Sequence, residues 1–402
     1  MTFQRKGSFK VLAVSALHAL WLIFLSFLLL NWHFVHWDEG EIIQFGPILK
    51  KLVLGWEQKP PQEDLMFVNV SYDNQLVEIT DSLGFPLGNE RITDREKLSE
   101  FLNNLAAVDN YKALVLDIRF DLPSGNDAKL VSAFAGIKRT VVSNHLQNGI
   151  PEKPVIPVKS GISDYPVVGG SFFKFQYFYN DTVKTVPLLI DEIVTGKKYV
   201  KKGSFFSDGT HSYYNIFLAD LLVRPHDIFI AEDHYFYENL GNILYLDSAS
   251  LAAITKDKII VVGDFEKYDK HETLLGEMPG PLILLNTWLS LSSGQNRVKP
   301  LPLIFLFISY TLLSLIIFVP GDPIEAAIGR ISGNNRLASA IAGIFSYFLL
   351  LILTVLFSYL LFDMLLNVLW LTFYLYVLDK VVSRILRKKE KGDHAMTSPG
   401  IK

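Results

Sequence analysis

The 402-residue chain has no cysteine. That excludes disulfides, thiolate metal sites and a cysteine nucleophile, so stability has to come from burial. Short catalytic signatures are also missing. There is no glycine-rich phosphate loop ending in Lys-Ser/Thr, no His-Glu-x-x-His and no Gly-x-Ser-x-Gly. No catalytic residue and no cofactor is expected. Basic charge is scarce in the middle: residues 33–300 hold 26 Lys and Arg against 35 Asp and Glu, a net of −9, while the ends together carry a net of +6. An acidic middle between basic ends argues against nucleic acid as a partner. It fits a translocated domain held by basic cytoplasmic anchors.

What the chain has in abundance is apolar sequence, at 50% of residues and a mean hydropathy of +0.27, concentrated at its two ends. Val11 to Leu30 carries no charge and reaches the ~20 residues that a helix needs to cross the hydrocarbon. It is too long for a signal-peptide core, and Asn31-Trp-His-Phe-Val-His-Trp37 follows where small residues would mark cleavage, so a retained anchor is expected. Three more spans are expected at about 301–319, 337–358 and 364–382, with Asp363 in the turn between the last two. His18 reads as a packed neutral side chain, and Tyr310 and Asn367 as hydrogen-bonding partners between helices.

Arg5, Lys6 and Lys10, then Arg330 and Arg336, then Lys380, Arg384, Arg387, Lys388, Lys389 and Lys391 fall on one side if the spans number four. That side is the cytoplasm. The expected organisation is a cytoplasmic N-terminus and first helix over 1–32, an extracytoplasmic domain over 33–300, a membrane bundle over 301–382 and a short basic cytoplasmic tail over 383–402. The place expected is the cytoplasmic (inner) membrane of a bacterium.

The middle reads as α/β, with a mixed, mostly parallel sheet flanked by helices. Strands are expected over Met66 to Tyr72, Ala113 to Phe120, Thr140 to Ser143 and Asp257 to Asp264, and helices over Arg95 to Ala107 with Asp94 at its start, Asp127 to Phe134 and Pro281 to Ser293. The β-α-β-α-β order implies parallel pairing through right-handed crossovers. A further helix is expected near Tyr213 to Val223. Phe173, Phe175, Tyr177 and Tyr179 alternate as one aromatic face of a strand, a core face before a binding surface.

Several segments together resemble the CHASE2 domains, extracytoplasmic sensory modules of bacterial signalling proteins. These are Ala113-Leu-Val-Leu-Asp-Ile-Arg-Phe120, Asn126-Asp127 with Leu130, Lys258-Ile-Ile-Val-Val-Gly-Asp264, Asp269-Lys-His-Glu-Thr273, and Gly276-Glu-Met-Pro-Gly-Pro-Leu-Ile-Leu-Leu-Asn286. The resemblance covers roughly residues 35–295 and the one-plus-three arrangement of spans. Leu274-Leu275 departs from it, standing where the family usually has Thr-Pro before the glycine. The resemblance implies a sensory domain. Family members usually continue into an output domain, so the short tail after the last span implies sensing without a built-in output.

In open α/β sheets, ligands bind beyond the carboxyl ends of strands. Asp264, Asp269, His271, Glu272 and Glu277 crowd the loops after one such end, and Asp117 closes another beside Arg119 and Asp121. Asp117, Asp264, Asp269, His271 and Glu277 are therefore the candidate ligand-binding residues, for a cation or a basic ligand group. The plainer alternative is a solvated loop with Asp264 and Asp269 capping turns and Asp117 buried against backbone N–H groups. His33 and His36 with Asp38, Glu39 and Glu41 have ligand-like spacing but read as interfacial residues, and no metal is expected. The function expected is a membrane-anchored sensor or scaffold subunit that binds an extracytoplasmic ligand and signals to a separate membrane or cytoplasmic output protein. A structural subunit of an envelope complex is the alternative, and an extracytoplasmic enzyme comes third. The lipid bilayer is a partner in every case.

Overall fold

In a computed structural model, the residues described are 2–30, 49, 52–55, 59–165, 167–168, 171–172, 174–218, 220–230, 234–273, 275–319, 336–362, 364 and 366–397. His33, His36, Asp38, Glu39, Glu41, Phe173, Leu274, Arg330 and Asp363 lie outside them. The chain divides into two compact units, Met1–Lys50 with Val298–Lys402, and Lys51–Arg297.

The second unit is built on six parallel strands. They are β1 (Leu65–Asn69), β4 (Ala113–Asp117), β5 (Thr140–Asn144), β6 (Ser160–Ile162), β7 (Phe236–Asn239) and β8 (Ile259–Gly263), in the order β7-β1-β8-β4-β5-β6. A hairpin, β2 (Asn74–Thr80) with β3 (Pro86–Thr93), follows β1, and a second, β9 (Lys270–Thr273) with β10 (Gly276–Pro279), follows β8. Every residue of β1 and β8 is buried, which is why these strands read as unbroken apolar runs: both faces of a parallel sheet are covered.

Side chains alternate cleanly between the two faces. Met66, Val68, Leu114, Leu116, Ile260 and Val262 pack with α2 (Arg95–Val108), α3 (Asp127–Ala135) and α5 (Ser248–Thr255). Leu65, Phe67, Ala113, Val115, Ile259 and Val261 pack with α4 (Val186–Thr195) and α6 (Gly280–Ser292). The connections β1 to β4, β4 to β5 and β7 to β8 step the same way across the sheet and place their helices on one face. The return from β6 to β7 steps the other way and places α4 on the opposite face, the pattern that right-handed crossovers give. Asp94 caps α2, accepting from the N–H groups of Glu96 at 3.0 Å and Lys97 at 3.1 Å.

Two expectations for this unit are corrected. The segment near Tyr213 to Val223 is not a helix: residues 212–214 pair with 205–207, and 216–218 with 174–176. The aromatic residues there favour a pleated surface, and Asn215 locks the turn between the strands, its side chain accepting from Phe178 N at 2.8 Å and donating to Phe178 O at 3.1 Å. The aromatic stretch is likewise not one face of one strand. Phe175 lies in the sheet core while Tyr177 and Phe178 join a separate cluster with Phe206 and Tyr213. Phe175 and Tyr177 are both fully buried, as a core face requires.

The other unit contains α1 (Thr2–Leu30), α7 (Pro300–Phe318), α8 (Arg336–Phe362) and α9 (Val368–Thr397). Among the described residues, three helices are long and apolar enough to cross a membrane, over Phe9–Leu29, Pro300–Phe318 and Ala340–Phe362. α9 is not among them, since Asp379, Lys380 and Arg384 interrupt its apolar stretch. These helices bury apolar residues such as Leu22, Leu306 and Leu351 but also expose many. Leu17, Phe24, Leu28, Ile308, Leu312 and Phe345 are exposed while Ser15, Ser26, Ser314 and Ser358 are buried, as helices solvated by lipid require.

Hydroxyl groups stitch the bundle. Ser26 Oγ and Tyr310 Oη lie 2.8 Å apart, so Tyr310 does bond between helices. Ser314 Oγ donates to Tyr310 O at 2.6 Å and so can only accept from His18 Nδ1, at 2.7 Å. Tyr374 Oη lies 3.0 Å from His18 Nε2. His18 thus has both ring nitrogens in use, joining α1 to α7 and α9. Asn367 departs from expectation, because its Oδ1 accepts from Trp370 N at 3.0 Å and caps its own helix.

Candidate functional site

The carboxyl ends of β8, β4, β5 and β6 lie side by side and open into a cleft of about 940 Å³, within the usual range for a small-molecule site. Asp117, the last residue of β4, stands at its centre. Two glycines let the neighbouring elements close around it. A Cβ on Gly263, at the end of β8, would lie 2.4 Å from Pro281 Cγ and 3.3 Å from Asp117 Cβ. A Cβ on Gly280, the first residue of α6, would lie 2.4 Å from a carboxylate oxygen of Asp269. The Asp269 carboxylate therefore rests on the first turn of α6, where the helix dipole favours negative charge.

Each wall carries a histidine paired with a carboxylate. On the side of the β9–β10 hairpin, His271 Nε2 donates to Asp269 Oδ1 at 2.8 Å. Its ring meets Tyr165 edge-on, with centroids 5.4 Å apart. On the other side, His145 follows β5 and Asp164 follows β6, with Nδ1 3.3 Å from Oδ1, while Leu146 N donates to the second Asp164 oxygen at 2.6 Å. Tyr165 lines the cleft between these pairs. Its Oη has no accessible surface and no hydrogen-bond partner among the described residues. Arg119 is committed to Asp121 at 3.1 Å and Glu152 at 2.6 Å.

These groups titrate as a set. Protein packed around Asp117 and the charge of Asp269 push its carboxyl up to about 7, while the Ser143 hydroxyl and the two histidines pull the other way. The hydrogen bond to Asp164, then the charges of Asp164 and Asp117, raise His145. The hydrogen bond to Asp269, then the charges of Asp269 and Asp117, raise His271. Burial first, and then Asp269, Asp117 and Asp164, raise the Tyr165 phenol. A carboxylate raised to about 7 between two imidazoles that feel its charge can take up or release a proton near neutrality as its surroundings change.

Of the five candidate residues, Asp117, Asp264, Asp269 and His271 line this cleft and Glu277 does not. Glu277 is 55% exposed and pairs with Lys270 at 2.8 Å. Asp264 does cap a turn, as the plainer reading held. It accepts from Ser71 Oγ and from the N–H groups of Glu266 at 3.1 Å, Lys267 at 2.8 Å and Tyr268 at 3.0 Å, so its carboxylate organises the loop. His145, Asp164 and Tyr165 were not singled out from sequence. The signal for His145 was its place just after a buried strand, the same signal that marked Asp264. Among the described residues, no group of three His, Asp or Glu side chains is arranged to hold a metal ion. Compared with known proteins, the chain matches no protein-family model, no curated protein and no solved structure.

Proposed function

We propose that this chain is a membrane-anchored, CHASE2-like sensor subunit of a bacterial cytoplasmic membrane. Its domain over 33–300 faces away from the cytoplasm and binds a small polar ligand in the Asp117 cleft, and its helices pass the signal to a separate output protein. The observation that carries this reading is the cleft itself, lined by Asp117, His145 and His271 at strand carboxyl ends, the place such sheets use for ligands. The chain also offers a route. Asp269 rests on the start of α6, and residues 293–299 alone join the end of α6 to α7. A ligand that prefers one of two arrangements at Asp269 biases whatever α7 does. On this reading the apolar first half of α9 is a fourth span in spite of Asp379 and Lys380, and with it both basic termini lie in the cytoplasm.

A small-molecule panel tested by thermal unfolding of the full-length protein in detergent checks the cleft. A compound that raises the unfolding temperature of the wild type but not of Asp117→Asn supports the reading, and stabilisation that ignores Asp117 contradicts it. The lack of cysteine makes the topology directly measurable. Glu277→Cys should react with a membrane-impermeant maleimide in spheroplasts, and Lys391→Cys only after lysis. Labelling of both in intact spheroplasts leaves three spans and no cytoplasmic tail.

A structural role in an envelope complex is favoured by one feature, the β2–β3 hairpin. It exposes Leu76, Leu83, Phe85 and Leu87, each at least 65% accessible, more apolar surface than a lone hairpin needs. A constitutive partner recovered by mild-detergent purification, and lost when Leu83 and Phe85 become Ser, points to that role.

A further inference from the structure

The cleft's charge specifies what it takes. Six carboxylates, those of Glu90, Asp117, Asp121, Asp164, Asp264 and Asp269, line it against two arginines. Even with both histidines protonated and Asp117 neutral, the lining stays net negative, which repels an anion and attracts a cation. Most of these charges are already claimed: Asp164 by His145, Asp269 by His271, Asp121 by Arg119, and Asp264 by its own turn. Asp117 has no cation of its own and is repelled by Asp269.

We propose that the cleft takes a small organic ammonium ion, its N–H donors shared between Asp117 and Asp269. This rests on the cleft being a ligand site, as proposed above. A primary ammonium carries three donors and no acceptor. The cleft offers two carboxylates that no internal cation fully occupies, Asp117 and the second oxygen of Asp269. Charge-assisted bonds of this kind are the strong ones. A cation between Asp117 and Asp269 also turns their repulsion into a shared attraction.

Binding is linked to protons. The amine needs Asp117 ionised, and His145 and His271 act in the same sense. As pH falls, Asp117 gains its proton and His145 and His271 become positive, and the other charged groups facing them are Asp164, Asp269, Asp121 and Arg119. Affinity for an amine therefore falls as pH drops through about 7.

Calorimetry on the full-length protein in detergent, with three probes of similar size, tests the class: 1,4-diaminobutane, 1,4-butanediol and succinate. The diamine should bind saturably, about tenfold or more tightly to wild type than to Asp117→Asn, and equally to Glu277→Gln, which changes a residue outside the cleft. Its affinity should be about tenfold lower at pH 6 than at pH 8. If Asp117→Asn fails to fold, Asp269→Asn takes its place. Diamine binding that ignores both variants, or no diamine binding, overturns the proposal. Asp117-dependent binding of the diol or of succinate overturns the ammonium class and leaves the cleft standing as a ligand site. The wider panel failing as well brings down both.

Discussion

His18 and the pair His145 and His271 show the same side chain put to opposite uses. In the membrane unit, His18 has hydroxyl partners on both nitrogens, Ser314 at 2.7 Å and Tyr374 at 3.0 Å. Neutral partners fix one tautomer and make the ring a joint between three helices. In the α/β unit, His145 and His271 each face a carboxylate and both feel Asp117. Charged partners favour the imidazolium and turn the ring into a proton-sensitive element. What these histidines do is therefore set by whether their neighbours can carry charge.

The comparison can be broken most forcefully from the cleft side. Gly263→Ala places a methyl 2.4 Å from Pro281 Cγ, on a helix that cannot retreat without opening the core. It should lower the unfolding free energy of the α/β unit by about 1–3 kcal/mol, read by urea unfolding of the purified chain.

A smaller effect should appear with pH. Asp117 has its pKa raised from the ordinary carboxylate range to about 7 in the folded state, so the native protein binds an extra proton between about pH 4 and 7 and loses stability as pH climbs through that window. His145 and His271 are raised too. Their contribution is complete below the ordinary histidine value and is lost as pH rises through their folded values. All three act in one direction, so the unfolding temperature of the α/β unit should fall from pH 5 to pH 8, and Asp117→Asn should flatten that fall. On the membrane side, His18→Leu should cost the bundle about 1 kcal/mol in detergent unfolding and leave the pH profile of the other unit unchanged. Glu277→Gln, which removes only an exposed ion pair, should change stability by less than about 0.5 kcal/mol.

The parts legible in sequence were those with strong local signals. The runs of β4 and β8 announce strands buried on both faces, and their carboxyl ends located Asp117 and Asp264. The apolar spacing of α2, with Asp94 before it, located that helix to within a residue. The cleft's second wall had no such signal. β6 is three residues, Ser160-Gly161-Ile162, too short for any period. Gly161 matters there through space, since a Cβ would lie 2.8 Å from Val186 N. Asp164 and Tyr165 therefore reach the cleft through a pairing that no run of residues advertises. Glu277 was misplaced for a related reason. It sits on β10 opposite Glu272, and the register of that hairpin, which sequence spacing alone does not fix, turns it away from Asp117.

The most direct test of the central claim is the titration of the histidines themselves, followed by NMR on the full-length protein with isotope-labelled histidine, in wild type and Asp117→Asn. The account predicts that the midpoints of His145 and His271 both move down when the Asp117 charge is removed, while the remaining histidines stay in place. Midpoints for those two that do not move would show that Asp117 is not coupled to either pair, and the cleft would lose its standing as a single site.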